Sequence, residues 1–347
     1  MDGTQDTRRM RRPRAAVMAD VGRLAGVSHQ TVSRVINGNP HVRSETRQRV
    51  LAAMHQLDYR PNSVARALVT GRSNTLGVVS FDTTLYGPAS TLLGIERAAH
   101  EEGYFIIVAS LKALDRSSVA NAVERLRLQG VDGILVIAAQ VDGAEALLHT
   151  PAGIPLVAVE AGPPGAVPVV AVDQFAGAVR ATRHLLDLGH ETVWHIAGPT
   201  DFLEARQREE GWRAALQEAG AQPPQAPMVG DWSPRVGYDF GRRLSRDPAV
   251  TAIFVANDQM ALGVLRAMHE AGRELPVQVS VVGFDDIPEA SYFTPPLTTI
   301  RQNFDEVGSR SFRLLLRMIE AGERLPPGLP VQPELIVRAS TAVAPDG

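Results

Sequence analysis

The chain has 347 residues, 44% of them hydrophobic and 21% charged, with no cysteine and a formal net charge of −3. That length implies two or three domains, the lack of cysteine excludes disulfides and thiolate metal sites, and no long apolar run or signal-like stretch points to a membrane or to export. The expectation is a cytoplasmic protein with no resident metal or cofactor. Charge is unevenly spread: residues 1–73 hold thirteen arginines, no lysine and five acids, a surplus of eight positive charges, so the rest carries −11. A basic head on an acidic body is the electrostatic footprint of a nucleic-acid contact, because arginine neutralises phosphates and releases condensed counterions.

Residues 1–16 lack periodicity and read as a flexible basic arm. DVGRLAGVSHQTVSRVING then places Val21, Leu24 and Ala25 on one helical face, Gly26 at a turn, and Ser28 as N-cap of a second helix with Val32, Val35 and Ile36 inward. Two short helices joined by a glycine-containing turn make a helix-turn-helix. SETRQRVLAAMHQLDY, with Ser44 as N-cap and apolar Val50, Leu51, Met54 and Leu57, predicts a third helix closing a compact unit over residues 17–60. Arg60-Pro61-Asn62 breaks that helix, and SVARALVTGRS reads as a linker, 61–73.

Beyond Ser73 the texture alternates. Eight apolar runs (LGVVSF, YFIIVAS, GILVIAA, PLVAVE, VVAVD, TVWHIAG, TAIFVAN and VSVVGF) are separated by helical patterns. Val/Ile-rich strands spaced by helices predict parallel sheets covered on both faces, and eight of them predict two doubly wound lobes. Ligands in such folds sit outside the carboxyl ends of strands, here Phe81, Glu160, Asp173, Asn257 and Asp285.

In a helix-turn-helix the N-terminal side chains of the second helix meet base edges in the major groove. His29, Gln30 and Arg34 occupy that place; glutamine pairs with adenine and arginine with guanine O6 and N7. VSHQTVSRVING, followed by SVARALVTGRS, GDWS, VANDQMALG, SVVGFDD and PPLTTIRQNF in order, resembles the lactose-repressor (LacI/GalR) family of bacterial regulators over residues 17–343, sitting nearest the family's eponymous member. The resemblance implies an all-α head plus a periplasmic-binding-protein-like α/β sensor at 74–343. Its lobes would be about 74–172 with 303–332 and 173–300 with 333–343, leaving 344–347 as a tail.

The resemblance further implies an operator contact set of Ser28, His29, Gln30, Thr31, Ser33, Arg34 and Asn37. Asn62, Ala65 and Leu68 would lie in a hinge helix, with Leu68 wedged into the minor groove. It implies an effector set of Phe81, Leu85, Pro88, Glu160, Arg208, Trp232, Asn257, Asp285, Gln302 and Phe304. Arg, Asn and Asp with aromatic walls suit a hydroxyl-rich ring, so a sugar, with a galactoside as first candidate, is the expected effector; a purine-like corepressor is the alternative. Two departures stand out. Val17 replaces a capping threonine, and Phe81, Ile137 and Val172 replace serine, asparagine and phenylalanine, with loss of a polar contact expected.

The chain ends without leucine heptads, so a homodimer on a pseudo-palindromic operator is expected. No nucleotide-binding glycine motif, zinc motif or nucleophile elbow appears, which argues against an enzyme. An exported sugar-binding protein would lack the basic head.

Overall fold

The computed structural model describes residues 16–36, 39–60, 71–111, 115–137, 140–147, 153–160, 167–224 and 226–345. It divides into two compact units, 1–73 and 74–347.

In the first unit, α1 (Met18–Ala25), α2 (His29–Ile36) and α3 (Ser44–Gln56) pack around Val21, Ala25, Val32, Val35, Val50 and Ala53. Gly26, at φ +69°, ends α1 in the left-handed conformation that glycine adopts without penalty. A Cβ on Gly22 would meet the Val27 carbonyl at 2.8 Å, so α1 presses its small residue against the turn. That approach rotates the buried arc of α1 onto Val21, Gly22 and Ala25 and leaves Leu24 46% exposed, contrary to the expectation from periodicity. Leu51 is likewise 52% exposed, because it stands about 100° around the helix from Val50. Val17 has no capping oxygen, but its N–H donates to Asp20 Oδ2 at 3.0 Å, so the carboxylate of the first turn supplies the closure. Ser28 caps α2 through Thr31 N–H at 3.2 Å. Ser44 is the first residue of α3 rather than its cap; Arg43 holds the cap position without a side-chain bond.

The second unit contains two sheets. The first runs β2-β1-β3-β4-β5, all parallel, from β1 (Thr75–Phe81), β2 (Phe105–Leu111), β3 (Gly133–Ile137), β4 (Leu156–Val159) and β5 (Val169–Val170). The second runs β11-β10-β9-β8-β6-β7, from β6 (Trp194–Ala197), β7 (Met228–Val229), β8 (Ala252–Val255), β9 (Ser280–Asp285), β10 (Thr298–Arg301) and β11 (Glu334–Ile336). Only its edge strand β11 is antiparallel. Among the described residues three strands exceed the eight read from the sequence, because β7 is only the pair Met228–Val229 and the short β10 and β11 carry threonine, arginine or glutamate instead of a Val/Ile run.

Helices α4 (Tyr86–Glu101), α5 (Arg116–Leu128) and α6 (Val141–Leu147) serve the first sheet, and α7 (Gln174–Asp187), α8 (Leu203–Glu218), α9 (Pro234–Leu244) and α10 (Asp258–Glu270) the second. The chain then returns: α11 (Phe304–Ala321) packs on α4, β3 and β4. Each sheet therefore buries both faces, one against Leu76, Val157 and Phe312 or Val79, Val123 and Ile134, the other against Val255 and Met260 or Trp212 and Phe284. The segments that pass between sheets lie side by side. Val331 N–H donates to the Ala171 carbonyl and Asp173 N–H to the Val331 carbonyl, both at 2.9 Å. Away from these crossings the lobes touch again where Val141 N–H donates to the Asp201 carbonyl at 3.0 Å and Gln140 Nε2 to Asp201 Oδ2 at 3.2 Å.

The start of α11 is held against α4 by an unusually close glycine pair. A Cβ on Gly308 would stand 2.4 Å from the Gly94 carbonyl carbon and 2.5 Å from Ile95 N, neither of which is a flexible side-chain end. Gly308→Ala is therefore predicted to destabilise the second unit by about 1–3 kcal/mol, the usual range for overpacking. Urea unfolding reads this directly, and an unchanged midpoint would rule out the close crossing.

Candidate functional site

On α2, Val32 and Val35 face the core, so the helical repeat turns Gln30 and Arg34 to the opposite side. Ser28, His29, Gln30 and Arg34 are exposed and Thr31 and Ser33 half-buried. Ser28 Oγ also lies 3.0 Å from Thr31 Oγ1, which commits both hydroxyls to the cap. The first turn of α2 carries no acid, so its N-terminal N–H groups offer unopposed positive potential to an anion. Asn37, Asn62, Ala65 and Leu68 lie outside the described residues.

Between the two sheets, at the carboxyl ends of β1, β4, β8 and β9, lies a cavity of about 180 Å³. The first sheet's side contributes Leu85, Tyr86, Pro88, Glu160 and Phe304; the second contributes Phe202, Glu204, Arg208, Trp232, Asn257 and Asp285. Gln174 and Gln302 come from the crossings. Four of these side chains form a closed circuit. Arg208 Nε donates to Gln174 Oε1 at 2.9 Å, Gln174 Nε2 to Gln302 Oε1 at 2.7 Å, and Gln302 Nε2 to Asp285 Oδ1 at 2.6 Å. Asp285 Oδ1 faces Arg208 Nη2 again at 3.8 Å. The guanidinium, 4% exposed, also donates to the Ala256 carbonyl and lies 3.9 Å from the centre of the Phe284 ring.

Aromatic edges shape the remaining walls: Phe202 meets Trp232 edge-on with ring centres 5.6 Å apart, and Tyr86 meets Phe304 at 5.7 Å. A Cβ on Gly198 would fall 2.1 Å from the Trp232 ring, so only glycine leaves room for the indole. Glu160, Trp232 and Asp285 all have positive φ, at +72°, +69° and +112°. Non-glycine residues hold such conformations only when their surroundings over-determine them. Here Asp286 does part of the holding, accepting from Arg301 Nε at 2.7 Å and Arg338 Nη2 at 2.6 Å.

Three carboxyls share the cavity with one guanidinium. Burial raises Glu204 to about 8, Glu160 to about 7 and Asp285 to about 6, while Arg208 pulls each back. Glu160 keeps one bond, from Thr91 Oγ1 at 2.9 Å. Glu204 Oε2 and Trp232 Nε1 are buried with no hydrogen-bond partner. Among the described residues no group of histidines and acids is placed to hold a metal ion, and no helix is long and apolar enough to cross a membrane.

The family description "Bacterial regulatory proteins, lacI family" matches residues 17–62, and "Periplasmic binding protein-like domain" matches 182–341. The HTH-type transcriptional repressor PurR of Haemophilus influenzae is 34% identical over 333 residues, covering 94% of this chain and 98% of that protein. The chain belongs to the LacI family. The ribose operon repressor of Escherichia coli is 34% identical over 329 residues, with 94% and 99% covered. The lac repressor dimer bound to operator and the anti-inducer ONPF superposes with a TM-score of 0.83 at 32% identity, covering 95% of this chain and all of that one. The protein is thus a DNA-binding transcriptional repressor of the LacI family, not an enzyme.

In this LacI-family chain, nine of the ten residues expected around an effector border one cavity. Phe81 does not. Strand alternation turns it with Val79 toward the opposite face of the first sheet, against the cluster that holds Val119 and Val123. Ile137 and Val172 are core residues of the other face, so the three substitutions, expected to cost a polar contact, fall in the packing around the cavity and not on its lining. Asn257 borders the cavity, yet its Nδ2 donates to the Trp232 carbonyl at 3.1 Å and to Gln259 Oε1 at 2.9 Å while Oδ1 caps α10. Its amide hydrogens are committed to holding Trp232.

Gln174, Phe202 and Glu204 are among the lining residues that were missed, with Thr84 and Gln259. Signals pointed to two of them: Gln174 follows the strand-end Asp173 directly, and Glu204 precedes Arg208 by four residues, hence shares its helix face. His184 and His190 bond to Thr341 and Thr251.

The raised carboxyls have a consequence for stability. A carboxyl whose folded value exceeds its unfolded value stabilises the fold below the unfolded value and loses that contribution as pH rises through the folded one. His195, buried and lowered to about 4, works oppositely below about pH 6.5. Between about pH 6.5 and 8 the carboxyls act alone, so stability of the ligand-free protein is predicted to fall across that window and Glu204→Gln to flatten the fall. Urea midpoints at the two pH values measure it; a wild-type midpoint that stays level refutes it.

Proposed function

We propose that this LacI-family repressor is a cytoplasmic homodimer that reads a pseudo-palindromic operator and changes its operator affinity when a monosaccharide-sized polyol fills the cleft between the sensor sheets. The circuit through Arg208, Gln174, Gln302 and Asp285 carries this reading. It presents fixed donors and acceptors beside the Trp232 and Phe304 walls, the combination that a hydroxyl-rich ring with apolar C–H faces requires. A cavity of about 180 Å³ suits a single ring. The name of the E. coli relative, a ribose operon repressor, agrees with a sugar.

The switch follows from what the ligand would touch. Glu160, Tyr86 and Phe304 belong to one lobe and Arg208, Trp232 and Asp285 to the other, so one small molecule contacts both and favours the lobe arrangement that satisfies both. A coupling of about 1–3 kcal/mol changes operator affinity about 5- to 150-fold. Dimerisation is supported by the edge strand β2, where Phe105 is 75% exposed and Ile107 and Val108 are exposed beside it; an uncovered apolar edge is a pairing surface. The lac repressor neighbour was likewise solved as an operator-bound dimer.

Operators selected from a random library with the purified dimer provide the test. Gln30→Ala and Arg34→Ala should each weaken the selected site by about 1–3 kcal/mol while changing nonspecific binding much less. A panel of neutral monosaccharides, galactosides included, should contain a member that shifts operator affinity at least about fivefold. Equal effector affinity for free and operator-bound protein would exclude the switch, and tighter operator binding with a nucleobase would move the assignment to a corepressor.

A further inference from the structure

The cleft is more acidic than a neutral ring requires. Glu160, Glu204 and Asp285 all border it, and Glu160 and Asp285 both push Glu204 upward by their proximity. The lone guanidinium that faces them is already occupied by Gln174, the Ala256 carbonyl and Asp285. Meanwhile two polar atoms in the same walls are buried and idle: Glu204 Oε2, and the Nε1 of Trp232, whose side chain is among the buried ones. Buried polar atoms that lack partners are costly, and pairs of this kind beside a cavity mark groups awaiting a ligand. The indole N–H needs an acceptor. The glutamate, pressed by two other carboxyls, is best satisfied by a cation.

Resting on the sensor reading above, we propose that the effector is an amine-bearing polyol, of which an amino sugar is the simplest form, with its ammonium against Glu204 and Glu160 and an oxygen accepting from the Trp232 N–H. Neutral sugars supply hydroxyls to the circuit but leave Glu204 protonated, so they gain nothing from its charge. A metal ion is not invoked for the same need, since among the described residues no group of three or more histidines and acids is placed to hold one. Binding of the cation also has a proton signature. Ligand-free Glu204 faces Arg208, Glu160 and Asp285, and Glu160 faces Thr91, Arg208 and Asp285; in these surroundings Glu204 holds its proton up to about pH 8 and Glu160 up to about 7. An arriving ammonium stabilises the charged carboxylates and expels those protons into solvent.

Calorimetric titration of the full chain at pH 6.5, where the sugar amines are charged and Glu204 and Glu160 still hold their protons, with glucosamine and galactosamine against glucose, galactose and the N-acetyl derivatives, tests the proposal. At least one amine should bind about tenfold tighter than its parent and its N-acetyl form, a difference of about 1.4 kcal/mol. Its apparent enthalpy should differ between buffers of different ionisation enthalpy, reporting proton release. Glu204→Gln should bring the amine-to-parent ratio to within about twofold, with a cooperative melt showing that the variant is folded. Trp232→Phe, which removes the N–H donor together with part of the wall that the ring supplies, should weaken amines and parents alike. A parent sugar that binds as tightly as its amine, a ratio unmoved by Glu204→Gln, or no binding by either amine would each overturn the inference. If neutral sugars still bind and shift operator affinity, the sensor reading survives that loss; if only a nucleobase does, both fail.

Discussion

Removing a guanidinium from water costs several kcal/mol unless its hydrogen bonds and its charge are answered inside the protein. Arg208 is answered from four directions: a glutamine from one crossing segment, a backbone carbonyl after β8, a carboxylate at the end of β9, and a phenyl ring beneath. Those partners belong to segments far apart in sequence, so the arginine can be satisfied only when the second sheet is complete and the crossings are in register. Because Gln174 and Gln302 lie where the chain passes between sheets, the same network that solvates Arg208 also ties these crossings to the cavity floor. A molecule that competes for Asp285 or Gln302 would therefore pull on the crossings themselves.

The backbone around this network is arranged to keep side chains at the cleft. Parallel strands deliver their carboxyl ends to one edge, which places the residues after β4, β8 and β9 in a common mouth. Positive φ at Glu160, Trp232 and Asp285 then turns these residues as an ordinary extended strand end would not. Such conformations persist because neighbours hold them: Asp286 is clamped by Arg301 and Arg338, and Trp232 is held through its carbonyl by Asn257 and admitted by the missing Cβ of Gly198. Asn257 serves the cavity by positioning its wall, and its own amide hydrogens are spent in doing so.

Much of this was legible in sequence because it depends on local rules. The helix-turn-helix is set by Gly26, the Ser28 cap and the spacing of Val32 and Val35, all within a few residues. The longer strands announce themselves as Val/Ile runs. What escaped depends on contacts between distant segments. Leu24 and Leu51 carry the right residue type for a core, yet the tight approach at Gly22 and the arc through Val50 and Ala53 decide which faces turn inward. The strands β10 and β11 lack an apolar run because polar side chains take part in holding them: Thr299 Oγ1 donates to Asp258 and Arg301 of β10 pairs with Glu334 of β11. Phe81 sits at the correct end of β1 but on the wrong parity, a one-residue distinction that only the packing of α5 makes visible. Glu204 was hidden for another reason: an acid in the first turn of a helix has an ordinary explanation at the helix N-terminus, and its meaning appears only once two other carboxyls arrive from elsewhere.

Charge links the two units in a way that neither shows by itself. The basic surplus lies wholly within residues 1–73, and the remainder carries −11. Like-charged phosphates repel the sensor, so productive encounters with DNA are those that lead with the head, an orientation bias supplied by the field of the whole chain. Of the cleft carboxyls, Glu204 contributes least to this separation, since burial raises it to about 8 and keeps it largely protonated near neutral pH. Because that repulsion acts over about a Debye length, it weakens with salt together with the head's own phosphate contacts. Specific and nonspecific binding thus share one electrostatic component, and discrimination between operator and bulk DNA must rest on short-range contacts that carry no net charge term.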